Sequence, residues 1–306
     1  MTLDDYEITG SLGSKGKFGG VQVGYVKARP EISVTIKRIE KYGERLLPLL
    51  QKVKEISHPS IAPILDVESV PSVGLLVARK KIEGTDLKTI FTTKSLYRRV
   101  DEKKFIQAGC AILRGLEKLH AAGVIHRDIK PSNIIIPHAE GEDVAKADFS
   151  KAVIIDFEQS SPYPDNSGVR SSFALVYSPP EMLLKYNSLV GPWSDFFALS
   201  VMLFQLIMGK APYSDCNPEI LVNLQLTYPM KQPVRMADDL YACLRKAAYK
   251  EPFRIPPRRM SQQEIEQTLR KGVQGRYQSA EEMLRDLEQV GEPFKKVSWI
   301  QKVLGE

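Results

Sequence analysis

Cysteine is scarce in this sequence: Cys110, Cys216 and Cys243 are its only three, odd in number and far apart. That excludes a disulfide framework and points to a reducing compartment, with a cytoplasmic location expected. Each is expected to be a small buried hydrophobe. Long hydrophobic runs are missing too. A membrane crossing needs roughly 18 apolar residues, and the longest candidate, residues 196–208, is interrupted by Ser200 and Gln205. It reads as a buried core helix, and no membrane is expected as a partner. The opening MTLDDYEITG is acidic and has no apolar centre, which argues against a secretory leader. Zinc-ligand spacing, interleaved basic and aromatic residues and a basic arm are all lacking, so nucleic acid is not expected either. The net charge of +6 is mild for 306 residues and compatible with a phosphate-bearing small ligand. With 43% hydrophobic and 26% charged residues, the chain can build one large domain or a two-lobed one.

What is present changes character along the chain. The first eighty residues look strand-rich. Residues 12–25 are dense in glycine with alternating Val21, Val23 and Tyr25, and residues 32–39 alternate as a half-buried strand does. Residues 46–56 have helical spacing, with Pro48 expected in or before the first turn. Residues 73–77 suggest another strand. Beyond Gly84 the pattern turns helical: Phe105, Ile106, Ile112, Leu113, Leu116 and Leu119 form one stripe, which Gly123 ends. Ser279 with Glu282 and Ser261 with Glu264 are expected capping boxes. Residues 138–151 are expected to form a long solvated hairpin loop, and residues 254–272 surface decoration. The expected fold class is α+β: a small β-rich lobe, residues 1–82, joined to a larger α-helical lobe, residues 83–306, with a ligand cleft between them.

The polar residues follow an order. HRDIKPSN, residues 126–133, places Asp128, Lys130 and Asn133 just before a strand; a second apolar run delivers Asp156 in AVIIDFEQS. Lys37 closes VTIK inside a strand, where an ammonium is costly unless it meets an anion. Gly16 and Gly19 ahead of Val21 would let backbone N–H groups approach phosphates. A turn-forming Asx explains any one of Asp128, Asn133 and Asp156, but not all three in this order.

In these motifs the chain resembles the eukaryotic-like (Hanks-type) Ser/Thr protein kinases, in the manner of a bacterial member. HRDIKPSN is similar to the catalytic loop, VTIK to the ATP-lysine strand and IIDFE to the metal turn. YSPPE, residues 177–181, stands where the family has Ala-Pro-Glu, and Asp195 and Arg276 match its late acid and arginine. The resemblance runs from about residue 12 to residue 287. It implies a two-lobed kinase fold that takes ATP and Mg²⁺ and acts on a protein substrate or partner protein. Asp128 would be the base and Lys130 would neutralise the transferring phosphoryl group. Asn133 and Asp156 would hold magnesium. Ser14, Gly16, Gly19, Val21 and Lys37 would bind the nucleotide. His126 and His58 are expected to pack and anchor loops. Arg127 is expected to be held by a phosphorylated activation segment, with Ser160, Ser161, Ser167, Ser171, Ser172 and Tyr177 as candidate acceptors. Oligomeric state is not legible.

The pattern also departs from the family. Glu158 stands where the metal turn has glycine. Leu49 falls where the small lobe's helix has the glutamate that orients the ATP lysine. Ser14 takes the place of the first loop glycine, and Phe173 and Ala174 replace a Gly-Thr pair. Arg79, or Ala78 if the alignment slips by one, borders the adenine pocket. Three readings stay open at this point: an active Ser/Thr kinase, a pseudokinase scaffold that keeps the fold, and a small-molecule kinase.

Overall fold

The structure, a computed structural model, describes residues 3–12, 21–39, 43–70, 74–165 and 174–295. Its first part is a five-stranded antiparallel sheet in the order β1-β2-β3-β5-β4. The strands are β1 (Tyr6–Leu12), β2 (Val21–Val26), β3 (Arg29–Ile39), β4 (Ile64–Val70) and β5 (Gly74–Lys80), with α1 (Gly43–Lys54) between β3 and β4. Alternation sends Tyr6, Val26, Val34, Ile36 and Ala78 into one small core on one side of the sheet. Leu75, Val77 and Ile64 join Leu46, Leu49, Leu50 and Val53 of α1 in the main core.

Next come β6 (Gly84–Asp86), α2 (Leu87–Thr92), α3 (Lys94–Tyr97), α4 (Glu102–Ala121) and the short strands β7 (Val124–Ile125), β8 (Ile134–Pro137), β9 (Val153–Ile154) and β10 (Ser161–Pro162). The chain ends in α5 (Pro180–Leu183), α6 (Pro192–Met208), α7 (Pro218–Thr227), α8 (Asp238–Ala247), α9 (Gln262–Gln274) and α10 (Ala280–Glu288). Strands β6, β8 and β9 pair as one small sheet, β7 and β10 as another. Gly84 adopts φ +150, and a Cβ there would collide with the Ile136 carbonyl across the pair. The amphipathic α4 starts on Asp101, whose carboxylate accepts from Lys103 N–H, and buries the expected stripe. Almost every face of α6 is buried, as the apolar run 196–208 predicts. Among the described residues no helix is long and apolar enough to cross a membrane.

Several expectations are corrected. Pro48 lies inside α1, beyond its first turn. Ser261 and Glu264 form a reciprocal capping box, but Glu282 reaches past Ser279 to the N–H of Gln278, so only half a box forms at α10. The loop between β8 and β9 is anchored as well as solvated. Val144 and Phe149 are buried, Phe149 completely, while Arg99 pairs with Asp143 and Lys104 donates to the Ala147 carbonyl. One apolar residue inside a polar run has no periodicity to reveal it. Residues 254–259 are mostly exposed, but α9 buries Leu269 and Val273 and places Leu269 in a cluster with Leu183, Leu189, Leu226 and Phe253. Cys110 and Cys243 are buried, whereas Cys216 is exposed; all three are free thiols.

Candidate active site

Residues 126–133 leave β7 and return through a single 3₁₀ turn to β8, so the loop is short and tightly tethered. Its anchor is Asp195 in the first turn of α6. That carboxylate is fully buried and accepts from the backbone N–H groups of His126 (2.9 Å) and Arg127 (2.8 Å) and from the His120 ring (2.9 Å). Burial alone would raise its pKa; the His120 hydrogen bond and charge reverse this and hold it below the usual carboxylate range. Aiming two successive N–H groups at one carboxylate goes with a left-handed Arg127, φ 66. Asp156 has φ 68. Such backbone costs on the order of 1–3 kcal/mol per residue and persists where surrounding bonds over-determine it.

Inside the loop, Asp128 Oδ2 accepts from Lys130 Nζ at 2.6 Å and from Asn133 Nδ2 at 2.9 Å, and Asn133 Nδ2 also reaches the Asp128 carbonyl at 2.9 Å. With its amide nitrogen so engaged, Asn133 has Oδ1 to offer a cation, while Asp128 keeps Oδ1 for an incoming proton donor. His126 is buried, its Nδ1 accepting from Asp128 N–H and its ring packed edge-on against Phe157. His58 anchors its own turn through Ser60 N–H. Both act as the sequence predicts.

Lys37 reaches the same cleft from β3, two residues along from Thr35, which pairs with Arg79. A cavity of about 160 Å³ is lined by Val21, Lys37, Leu50, Arg79, Asn133 and Asp156, among others. Lys37 Nζ lies 2.9 Å from Asp156 Oδ2 and 2.7 Å from Glu158 Oε1. Burial works against the ammonium, but the two carboxylates outweigh it and raise the Lys37 pKa. Burial likewise opposes the Asp156 charge, and Lys37 with the Glu158 N–H overcomes it, so Asp156 is held low. Glu158 is pushed up by burial and by the Asp156 charge, so within this pair Asp156 is the firmer anion.

Three site residues proposed from sequence, Ser14, Gly16 and Gly19, lie outside the described residues, as do Ser167, Ser171, Ser172 and Phe173. The sequence left Arg79 and Ala78 as alternatives beside the pocket. Arg79 lines the cavity; Ala78 packs on the opposite face of the sheet. Arg79 Nη1 is buried with no hydrogen-bond partner, and burial lowers the guanidinium pKa against the pull of Asp156. On α1, Leu49 is packed in the core, and it is Leu50 that lines the cavity. Arg127 does not await a phosphate among the described residues: its Nη1 meets Asp165 at 3.0 Å and its Nη2 meets Asn187 Oδ1 at 3.2 Å. Asp165 gives no sequence signal, being one acid in a polar stretch. Of the described acceptor candidates, Ser161 is buried, and Tyr177 donates to Gln205 at 2.6 Å, its pKa pushed up by burial to about 12. Glu181 of YSPPE is clamped by Arg276 through both oxygens, at 2.7 and 3.1 Å.

Asn133 and Asp156 supply hard oxygens. Among the described residues no group of three or more His, Cys, Asp or Glu is placed to hold an ion. An amide and a carboxylate suit Mg²⁺, which takes few protein ligands and completes its shell with phosphates and water.

Residues 6–285 match the protein kinase domain family, and the chain belongs to it. It is a Hanks-type member with bacterial relatives. It is similar to serine/threonine-protein kinase PknD of Protochlamydia amoebophila, 26% identical over 313 residues, covering 93% of this chain and 30% of that protein. Probable serine/threonine-protein kinase PknB of Corynebacterium glutamicum is 25% identical over 229 residues, covering 71% of this chain and 33% of that protein. Mitogen-activated protein kinase HOG1 of Scheffersomyces stipitis is 33% identical over 198 residues, covering 63% and 45%. The chain spans less than half the length of these curated relatives. The sheet of the first part and the helices of the second are the two lobes of the kinase fold.

Proposed function

We propose that this chain transfers the γ-phosphoryl group of Mg-ATP to serine or threonine hydroxyls of a protein. The observation that carries this reading is convergence: Asp128, Lys130 and Asn133 from one loop gather at the cleft that Lys37 and Asp156 enter from two other segments. The lobes are taken to meet near residue 82, and a cytoplasmic setting is proposed on the three unpaired cysteines.

Phosphoryl transfer asks a protein mainly for positioning and charge neutralisation. In this reading Asp128 Oδ1 accepts the proton of the substrate hydroxyl as its oxygen bonds to phosphorus. The bond to the β-phosphate oxygen breaks, and ADP departs. Asn133 fixes the Asp128 carboxylate in place, and Lys130, already on that carboxylate, swings to the phosphoryl oxygens as their charge develops. Lys37 binds the non-transferring phosphates. Asn133 Oδ1 and Asp156 hold magnesium, which when bound neutralises the phosphate charge. The groups that would touch phosphate or metal are all present, which favours a working enzyme over a scaffold.

The test is incubation with Mg²⁺ and labelled ATP, with a generic serine- and threonine-containing acceptor, beside Asp128→Ala and Lys37→Ala. Label on serine or threonine that both substitutions remove supports the proposal. Nucleotide binding without any transfer supports the scaffold, and transfer to a metabolite but never to protein supports a small-molecule kinase.

A further inference from the structure

Lys37 is an ammonium on β3 that lines the cavity, with a quarter of its side chain exposed. Partial burial works against its charge, and carboxylates that meet it favour the charge and hold the ammonium in one place. One carboxylate, Asp156, is itself the residue offered to a metal, so a second is needed to hold Lys37 whatever Asp156 is doing. Of α1, Leu50 lines the same cavity as Lys37, and the other described residues it turns to the core, Leu46, Leu49 and Val53, are apolar as well. The second carboxylate comes instead from the turn after β9. Glu158 Oε1 stands 2.7 Å from Lys37 Nζ. The backbone N–H of the same residue donates to Asp156 Oδ1 at 3.3 Å. Glu158 thus grips both partners of the Lys37–Asp156 pair, one by its side chain and one by its main chain.

We propose that Glu158 is the positioning residue for Lys37: the turn supplies a counter-charge that none of the described side chains of α1 provides, and sets the lysine where nucleotide phosphates are bound. This rests on reading the cleft as the nucleotide site. The two positions exchange roles in a defined way. Leucine on α1 at position 50 and glutamate in the turn at position 158 are two halves of one arrangement, since a carboxylate is needed at only one of them. The residue that looks like damage to the metal turn is then a compensation within it. Glu158 acts through Lys37 and takes no part in the transfer itself.

Three comparisons test this, each read by Mg-ADP titration and by kcat and KM for Mg-ATP, with melting temperature as the check on folding. Glu158→Gln keeps the shape and removes the charge. It is expected to weaken Mg-ADP about tenfold, the factor for one modest charge contact, and to raise KM more than it lowers kcat. In a Lys37→Met background the same Glu158→Gln change is expected to have no further effect, because its partner is gone. Glu158→Gly with Leu50→Glu is expected to restore Mg-ADP affinity lost in Glu158→Gly alone. Unchanged or tighter Mg-ADP binding by Glu158→Gln overturns the inference. So does an equal loss with and without Lys37, or a folded double variant that Leu50→Glu fails to rescue. Failure of the underlying reading looks different: the unaltered protein would bind no Mg-ADP, or would bind it and transfer nothing. In the second case the Glu158 comparisons still read out in affinity.

Discussion

Arg127 and Asp165 meet at 3.0 Å, with each side chain at least 96% shielded from solvent. A guanidinium in the loop that carries Asp128 is thus neutralised by a carboxylate of the chain itself, further held by Asn187. Burial lowers the Arg127 pKa and the charges of Asp165 and Asp195 work against that, which makes the pair a matched one. Since Arg127 already meets a carboxylate through Nη1 and Asn187 through Nη2, activity is expected to be unchanged by prior phosphatase treatment. Asp165→Asn leaves a buried arginine without its charge partner and should cost about 3–5 kcal/mol of stability. Denaturant titration measures the second effect; activity lost on dephosphorylation would contradict the first.

The Glu181–Arg276 clamp invites a complementary test. Both side chains are buried, and Ser194 adds a third bond to Glu181 at 2.8 Å. Glu181→Gln alone should destabilise the fold by about 3–5 kcal/mol, because a buried arginine loses its counter-charge. Replacing both, Glu181→Met with Arg276→Leu, should recover much of that loss. The two-variant comparison by thermal melting separates an ion pair that stabilises from one that merely punishes its own disruption.

Lys250 is predicted to be a net cost near neutral pH. Its Nζ lies 3.9 Å from the Tyr213 ring centre and donates to the Gln225 carbonyl, and its pKa is pushed down to about 6 by burial and by Arg276. The unfolded chain keeps that lysine protonated up to about pH 10, while the folded chain releases the proton above about 6. Between these values folding expels a proton, so the penalty is largest at the acidic end and shrinks as pH rises. Lys250→Met should therefore melt higher than the unaltered protein at pH 7, with a smaller advantage at pH 9. Melting curves at the two pH values check it; a lower melting point at both would contradict it.

How much of this was legible in the sequence depends on distance along the chain. Asp128, Lys130 and Asn133 share eight residues, and the loop they form follows from local order. The alternation of residues 32–39 likewise puts Lys37 on a strand, and the stripe from Phe105 to Leu119 puts α4 in the core. What the sequence hid are contacts across many residues. Glu158 reaching Lys37 is one, and Asp165 reaching Arg127 is another. Asp165 sits in no periodic pattern, and Glu158, although it stands out against the metal turn, gives no local sign of the lysine it reaches. Choosing between Arg79 and Ala78 required the strand register, because a one-residue slip exchanges the two faces of a sheet. Leu49 and Leu50 are a similar case on a helix, where neighbouring residues point about 100° apart.

The most direct measurement is the rate of phosphoryl transfer from Mg-ATP to a serine- and threonine-containing acceptor, for the unaltered protein and for Asp128→Asn, with Mg-ADP affinity taken in parallel. A positioned base contributes about 10²–10⁴-fold. The expected result is a transfer rate lowered by a factor in that range with Mg-ADP affinity little changed. Equal rates in the two proteins, or no transfer by the unaltered protein while it binds Mg-ADP, would contradict a catalytic Asp128.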